Sequence, residues 1–64
     1  MTAALGVFLK QHGDRMTHLA LRYTRNMDDA RELVQEAAYR ILKAWPKFDG
    51  VSNLAPWFAT VMRN

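Results

Sequence analysis

Apolar residues recur along this chain at intervals of three and four positions, the spacing of an amphipathic α-helix, in three successive segments. The first segment predicts a helix from about Ala3 to Arg25, which passes through Gly13, where glycine favours a bend or a break. The second predicts a helix that ends near Ala44, and the third a helix that begins near Asn53. Three amphipathic helices with short loops predict a small all-α fold, a three-helix bundle.

The second predicted helix has the clearest separation of apolar and polar residues. Its apolar side consists of Ala30, Leu33, Val34, Ala37, Ala38, Ile41, Leu42 and Trp45. Directly opposite lie Glu32, Gln35, Glu36, Tyr39 and Lys43. Carboxylates, an amide and an aromatic ring in one compact block are suited to docking on another protein. The alternative is that they form the ordinary solvated face that a soluble helix needs.

The start of the second helix carries capping signals. Asn26 is a good N-cap, and Asp29, three residues later, is placed to complete a capping box. Asp28 and Asp29 also lie in the first turn, where the helix dipole favours negative charge. Capping therefore explains these aspartates as well as a binding role does.

Two prolines define the segment between the second and third helices. Pro46 ends the second helix because it has no N–H group and restricts the residue before it. The loop that follows contains the turn signal Asp49-Gly50. We prefer Asn53 to Ser52 as the N-cap of the third helix. With Asn53 as the cap, the missing N–H of Pro56 falls in the first turn, where it has no intrahelical partner to lose.

The chain of 64 residues is long enough for one domain, and its net charge is +3 at pH 7. That charge is unevenly distributed. Residues 1–25 contain four basic and one acidic side chains, residues 26–39 one basic and four acidic, and residues 40–64 four basic and one acidic. An acidic segment between two basic ones favours two kinds of partner surface, although short windows of mixed sign also occur on ordinary protein surfaces.

The motifs of common enzyme and metal sites are not found in this sequence. There is no Gly-rich phosphate loop, no nucleophile elbow and no zinc-binding helix motif. His12 and His18 are six positions apart, which does not place two metal ligands on one helix face. Cysteine is absent, so disulfides and thiolate metal sites are excluded. We therefore expect a protein without enzymatic activity, metal or other cofactor.

The sequence also predicts a location in the cell. No apolar run approaches the roughly 20 residues needed to span a bilayer. The first residues lack the basic start of a signal peptide and are interrupted by Lys10. Together with the absence of cysteine, these features predict a cytoplasmic protein with no membrane span.

Basic and aromatic side chains around the third helix are suited to single-stranded nucleic acid, which proteins bind through its phosphates and by stacking its bases. The candidates are Lys43, Lys47, Phe48, Trp57 and Arg63. The helical spacing of Trp57 favours a position in the core instead, together with Leu54, Phe58, Val61 and Met62. Phe48 has the same alternative.

Several short motifs follow one another at specific spacings. They are D-A-R-E-L-V-Q-E at residues 29–36, F-D-G at 48–50, S-N-L at 52–54, Trp57, and R-N at 63–64. Taken together, this pattern resembles the second domain of the extracytoplasmic-function sigma factors of bacterial RNA polymerase, over about Leu5 to Asn64. The family often has Arg and Ala after N-L, whereas this chain has Ala55 and Pro56. One basic contact at the start of the third helix is therefore missing.

The resemblance implies a role in transcription initiation and two binding surfaces. The polar face of the second helix would dock on the clamp helices of the polymerase β′ subunit, through Asp29, Glu32, Gln35, Glu36 and Tyr39. The loop and the third helix would bind the minus-ten promoter element as melted single strand, with a base flipped into a loop pocket. The residues assigned to DNA are Lys47, Phe48, Ser52, Asn53, Trp57 and Arg63.

The resemblance further implies RNA polymerase core, promoter DNA and an anti-sigma factor as partners. Residues 1–64 would be a single region 2 domain that stops within its last helix, without the helix-turn-helix domain that reads the minus-thirty-five element. The alternative is a sigma mimic that binds an anti-sigma factor without contacting DNA. Lys47, Asn53 and Arg63 favour the sigma factor, since a mimic has no need of them. A free-standing helix-turn-helix protein fits less well, because the segment from Pro46 to Asn53 is too long for its tight turn.

Overall fold

The computed structural model describes residues 3–48, 50–51 and 53–63. It contains three helices, α1 (Ala3–Thr24), α2 (Met27–Lys43) and α3 (Ala55–Arg63), with a short 3-10 turn at Trp45–Lys47. No strand occurs in these ranges, and the predicted all-α three-helix bundle is confirmed. The predicted DNA-binding residue Ser52 and the turn residue Asp49 lie outside the described residues.

The connection between α1 and α2 is two residues long. α1 continues through Gly13 without the interruption that glycine favours. It is followed by a left-handed residue, Arg25 (φ 57°), whose N–H donates to the Leu21 carbonyl oxygen at 2.8 Å. Such a conformation closes the last turn of a helix but is normally supplied by glycine, because it brings a side chain against the backbone.

The start of α2 is capped as predicted, but only half of the capping box forms. Asn26 Oδ1 accepts a hydrogen bond from the Asp29 N–H at 3.0 Å. The N–H of Asn26 donates to Thr24 Oγ1, at 3.4 Å, and not to the Asp29 carboxylate. The expectation that Asp29 completes the box is therefore wrong, because the threonine at the end of α1 is the partner of this N–H group.

The beginning of α3 agrees with the predicted cap and differs slightly in its boundary. Asn53 Oδ1 accepts from the Ala55 N–H at 3.1 Å. The hydrogen bond from the Phe58 N–H to the Leu54 carbonyl, at 2.9 Å, opens the helical series, so that α3 begins at Ala55. Pro56 lies in the first turn, where a backbone N–H has no intrahelical partner, so its missing N–H costs no hydrogen bond within the helix.

The core is formed by one side of each helix and by the 3-10 turn. Its buried residues are Leu5, Phe8, Met16, Ala20, Ala30, Val34, Ala37, Ile41, Trp45, Leu54, Phe58 and Met62. The rings of Phe8 and Phe58 stack at 5.2 Å and join α1 to α3. The indole N–H of Trp45 is buried and has no hydrogen-bond partner among the described residues.

Two residues that the apolar spacing assigned to the core lie on the surface instead. Leu42 is 42% exposed and Trp57 45%. Each is next to a fully buried residue in the chain: Leu42 follows Ile41, and Trp57 precedes Phe58. One step along a helix turns the side chain by about 100°. Because each helix of a small bundle has a narrow buried side, that rotation is enough to bring a side chain to the surface.

Candidate functional site

The polar side of α2 is an open surface. Asp29, Glu32, Gln35, Glu36 and Tyr39 are all exposed, opposite the buried residues Ala30, Val34, Ala37 and Ile41. We call these five exposed residues the acidic face. They lie within three turns of one rigid helix whose other side is packed in the core, so the fold holds them in a fixed relative arrangement.

Part of the charge on the acidic face is left without an intramolecular partner. Arg40 Nε donates to Glu36 Oε2 at 3.2 Å, in a pair that is about half exposed. An exposed pair of this kind contributes only about 0.3–0.5 kcal/mol, so a binding partner can displace it at small cost. Glu32 and Asp29 have no basic side chain within 4.0 Å in the described part of the chain. The face therefore offers free carboxylates to another molecule.

An aromatic ring extends the acidic face. Tyr39 is 56% exposed, and Lys43 Nζ lies 5.4 Å from the centre of its ring. At such an exposed site a cation–π contact is worth about 0.5–1 kcal/mol. The exposed ring adds apolar area to a surface that is otherwise polar.

A second group of predicted residues lies in the loop and the first turn of α3, and two of them are in contact. The Phe48 and Trp57 rings lie edge to face, 5.5 Å apart. Phe48 is half-buried against the core, Trp57 is exposed, and Lys47 beside them is also exposed. Asn53 lies at the same end of α3, four positions before Trp57. We call Lys47, Phe48, Asn53 and Trp57 the loop cluster.

Arg63 does not join the loop cluster. It lies six residues beyond Trp57, about 9 Å along the helix axis. Its side chain lines a groove between the three helices, together with Tyr23, Glu36 and Arg40. The predicted DNA-binding residues are thus divided between the two ends of α3, and Arg63 is the one placed near the acidic face.

Two residues of α1 that no motif indicated lie beside Asn53. His12 and Arg15 line a cleft of about 300 Å³ with Asn53, over the buried rings and side chains of the core. The His12 ring is half-buried and lies 5.0 Å from Phe8. Asn53 uses its Oδ1 as the cap of α3, which leaves its amide N–H groups as donors. The three-residue spacing of His12 and Arg15 indicates, from the sequence alone, that they share one side of α1.

Other features of the described residues bear on the classes of function. No group of three or more His, Cys, Asp or Glu side chains is close enough to hold a metal ion in these ranges. His18 Nδ1 lies 2.9 Å from the Asp14 carbonyl oxygen, away from His12. Of the helices in the described ranges, none combines the length and the apolar character needed to cross a membrane.

Comparison with known proteins identifies the family. Residues 8–64 match the family model of sigma-70 region 2. The chain belongs to the sigma-70 region 2 family. This is a family of non-enzymatic domains of transcription initiation factors, which act with RNA polymerase and promoter DNA. The match includes all of α2, the loop and α3, and therefore both the acidic face and the loop cluster.

One relative is also similar in sequence. An uncharacterized protein of Rhizobium meliloti (strain 1021) is 48% identical to this sigma region 2 domain over 44 residues, which are 69% of this chain and 10% of the relative. The matched part thus spans about a tenth of the relative's length. No solved structure matches the chain.

Proposed function

We propose that this chain is the promoter-recognition module of a sigma factor of the extracytoplasmic-function type. It docks on the clamp helices of the RNA polymerase β′ subunit through the acidic face. It binds the minus-ten promoter element as melted single strand through the loop cluster. The observation that carries this proposal is the presence, on one small fold of the sigma-70 region 2 family, of two separate exposed surfaces with different chemistry.

The acidic face supports the docking step. Its free carboxylates, Asp29 and Glu32, can pair with basic side chains of a partner, and the Gln35 amide can donate and accept hydrogen bonds. Tyr39 supplies exposed aromatic area, which is enriched where interfaces concentrate their binding energy. Because α2 is anchored by its buried side, docking requires no rearrangement of the fold.

The loop cluster supports binding of a single strand. Bases in a melted strand expose their faces and edges, and aromatic side chains bind them by stacking. Trp57 is exposed and braced by Phe48, so its ring is available to a base. Asn53 can donate to a base edge with its amide group, and Lys47 can pair with a phosphate. Arg63 is a separate backbone contact at the other end of α3.

The remaining parts of the proposal follow from that role. Residues 1–64 act as one region 2 domain, in the cytoplasm where promoter DNA and polymerase meet. An anti-sigma factor is the expected regulator, and the acidic face is where it would compete with polymerase. Ser52 belongs to the proposed DNA-binding segment by its place in the sequence, between the loop and Asn53.

Docking is tested by the double substitution Gln35→Ala and Glu36→Lys. We expect it to weaken binding to an isolated β′ clamp-helix fragment by more than about tenfold, since a carboxylate becomes a repelling cation. Helicity measured by circular dichroism should stay unchanged, because both side chains are exposed. The matched control is Asp14→Lys, which makes the same change of charge at an exposed position of α1.

The outcomes of this experiment separate the hypotheses. Binding that survives the double substitution, or that is lost equally with Asp14→Lys, would show that the acidic face is not the docking surface. A folded wild-type chain that does not bind the clamp-helix fragment, but binds an anti-sigma factor, would favour the sigma mimic.

The proposed role of Asn53 in recognising the promoter sequence is tested with a substitution that keeps the helix cap. Asn53→Asp retains the Oδ1 acceptor for the Ala55 N–H and removes the amide donor. We expect it to change the preference among single-stranded minus-ten sequences while affinity for the clamp-helix fragment stays unchanged. A uniform loss of affinity for all sequences and for the polymerase fragment would contradict a reading role.

A further inference from the structure

One side of α1 carries a row of clefts, two of which are also lined by Asn53. Three shallow clefts of about 300 Å³ each follow one another along the helix. The first and second share His12 and Asn53, and the second and third share Arg15. The third extends to Arg22. The three clefts therefore form a row along one side of α1 that leads away from Asn53.

Two arginines and two imidazole rings line this row of clefts. They are His12, Arg15, His18 and Arg22, which we call the α1 track. Both arginines are exposed, and neither has a carboxylate within 4.0 Å in the described part of the chain. His18 is also exposed, and its Nδ1 contacts the Asp14 carbonyl oxygen, so its ring lies on the same helix between the two arginines. The track is therefore free to attract a negatively charged ligand.

The dimensions of the α1 track match an extended ligand with repeated charges. His12 and Arg22 are ten residues apart, which is about 15 Å along a helix. Phosphates of a DNA strand follow one another every 3.4 Å or so along the duplex axis, and farther apart when the strand is extended. The two arginines, two turns apart, can thus contact different phosphates of one strand.

We propose that the α1 track binds the phosphodiester backbone of single-stranded DNA that continues from the loop cluster. The identity of the strand rests on the proposed function. The contacts are independent of sequence, because guanidinium and imidazole groups meet phosphates and not base edges. The half-buried His12 ring, beside the Asn53 amide, is the point where the strand passes from the loop cluster to α1.

The test is an NMR titration of the 64-residue chain with a short oligothymidylate, which contains no minus-ten element. We expect amide shifts along α1 between residues 12 and 22. Arg15→Gln and Arg22→Gln should each weaken binding roughly fivefold at low salt, and each should reduce the slope of log affinity against log salt by about 0.7, the value for one phosphate contact on a single strand. Lys10→Gln removes the same charge from an exposed position on another side of α1, and should change affinity less than twofold or so.

Several results would overturn the proposal. They are shifts confined to the loop and α3, an absence of shifts with a folded chain, an equal effect of Lys10→Gln, or stronger binding to a duplex of the same length. A failure here is distinguishable from a failure of the proposed function, because binding of the clamp-helix fragment and preference for minus-ten sequences are measured separately. If both of those hold while the arginine variants bind oligothymidylate normally, only the α1 track is wrong.

Discussion

Phe48 and Trp57 meet edge to face, with ring centres 5.5 Å apart and ring planes 73° apart. Phe48 packs against the core, whereas Trp57 remains 45% exposed. The contact ties the position of an exposed indole ring to the buried part of the fold. A ring held in this way loses little conformational freedom when a second ring stacks on it, which favours binding.

The first prediction concerns the contribution of Trp57 to DNA binding. Trp57→Ala should lower affinity for a single-stranded minus-ten oligonucleotide by about 1–3 kcal/mol, the value of one base–aromatic stack. Trp57→Tyr keeps an aromatic face and should retain most of the affinity. Fluorescence anisotropy of a labelled oligonucleotide measures both. Equal affinity of the alanine and tyrosine variants would exclude stacking on this ring.

The second prediction contrasts Trp57 with its neighbour Phe58, which is fully buried and stacks on Phe8. Phe58→Ala should cost about 3–5 kcal/mol of the free energy of unfolding, enough to unfold a domain of this size. Trp57→Ala should cost much less, because its ring is partly solvated already. Thermal unfolding followed by circular dichroism compares the two. Similar losses would mean that Trp57 belongs to the core.

The third prediction concerns the glycines. A Cβ at Gly13 meets nothing within 4 Å, and the residue is helical, so Gly13→Ala should stabilise the fold by about 1 kcal/mol. A Cβ at Gly50 also meets nothing within 4 Å, but φ is +88° there. Gly50→Ala should therefore destabilise the fold by about 1 kcal/mol through the backbone alone. Denaturant unfolding distinguishes the two signs, and stabilisation by both changes would contradict the left-handed turn.

The fourth prediction tests the left-handed end of α1. Arg25→Gly should stabilise the fold by about 0.5–1 kcal/mol, because glycine adopts a φ of 57° without the steric cost of a side chain. Arg22→Gly removes the same side chain from inside the helix and should cost about 1 kcal/mol. Chemical denaturation of both variants measures the difference. A loss of stability at both positions would indicate that residue 25 is helical.

The fifth prediction concerns the cap of α2. Asn26→Ala removes the acceptor of the Asp29 N–H and should cost about 1 kcal/mol. Asn26→Asp keeps an acceptor and places negative charge at the helix N-terminus, so it should preserve stability. Because the Asn26 N–H donates to Thr24 Oγ1, Asp29→Ala should cost less than Asn26→Ala. The reverse order, measured by thermal unfolding, would restore the complete capping box.

The sequence alone determined the elements of this fold and one of its two surfaces. Apolar spacing, the cap residues Asn26 and Asn53 and the break at Pro46 define the helices to within one or two residues. These signals act between neighbours in the chain, which is why they can be recognised without a structure. The acidic face follows in the same way, since all its residues lie on one helix and its orientation is set by the opposite apolar side.

Only the tertiary structure decided which residues from different helices come together. The spacing of Trp57 and Leu42 is compatible with burial, and their exposure depends on how wide a side of each helix the neighbouring helices cover. The cleft that joins Asn53 to His12 and Arg15 depends on where the start of α3 crosses α1. The groove that Arg63 lines with Tyr23, Glu36 and Arg40 likewise depends on how the end of α3 packs against the other two helices. Helical periodicity gives the direction of a side chain around its own axis, but contacts between elements require the packing of the whole core.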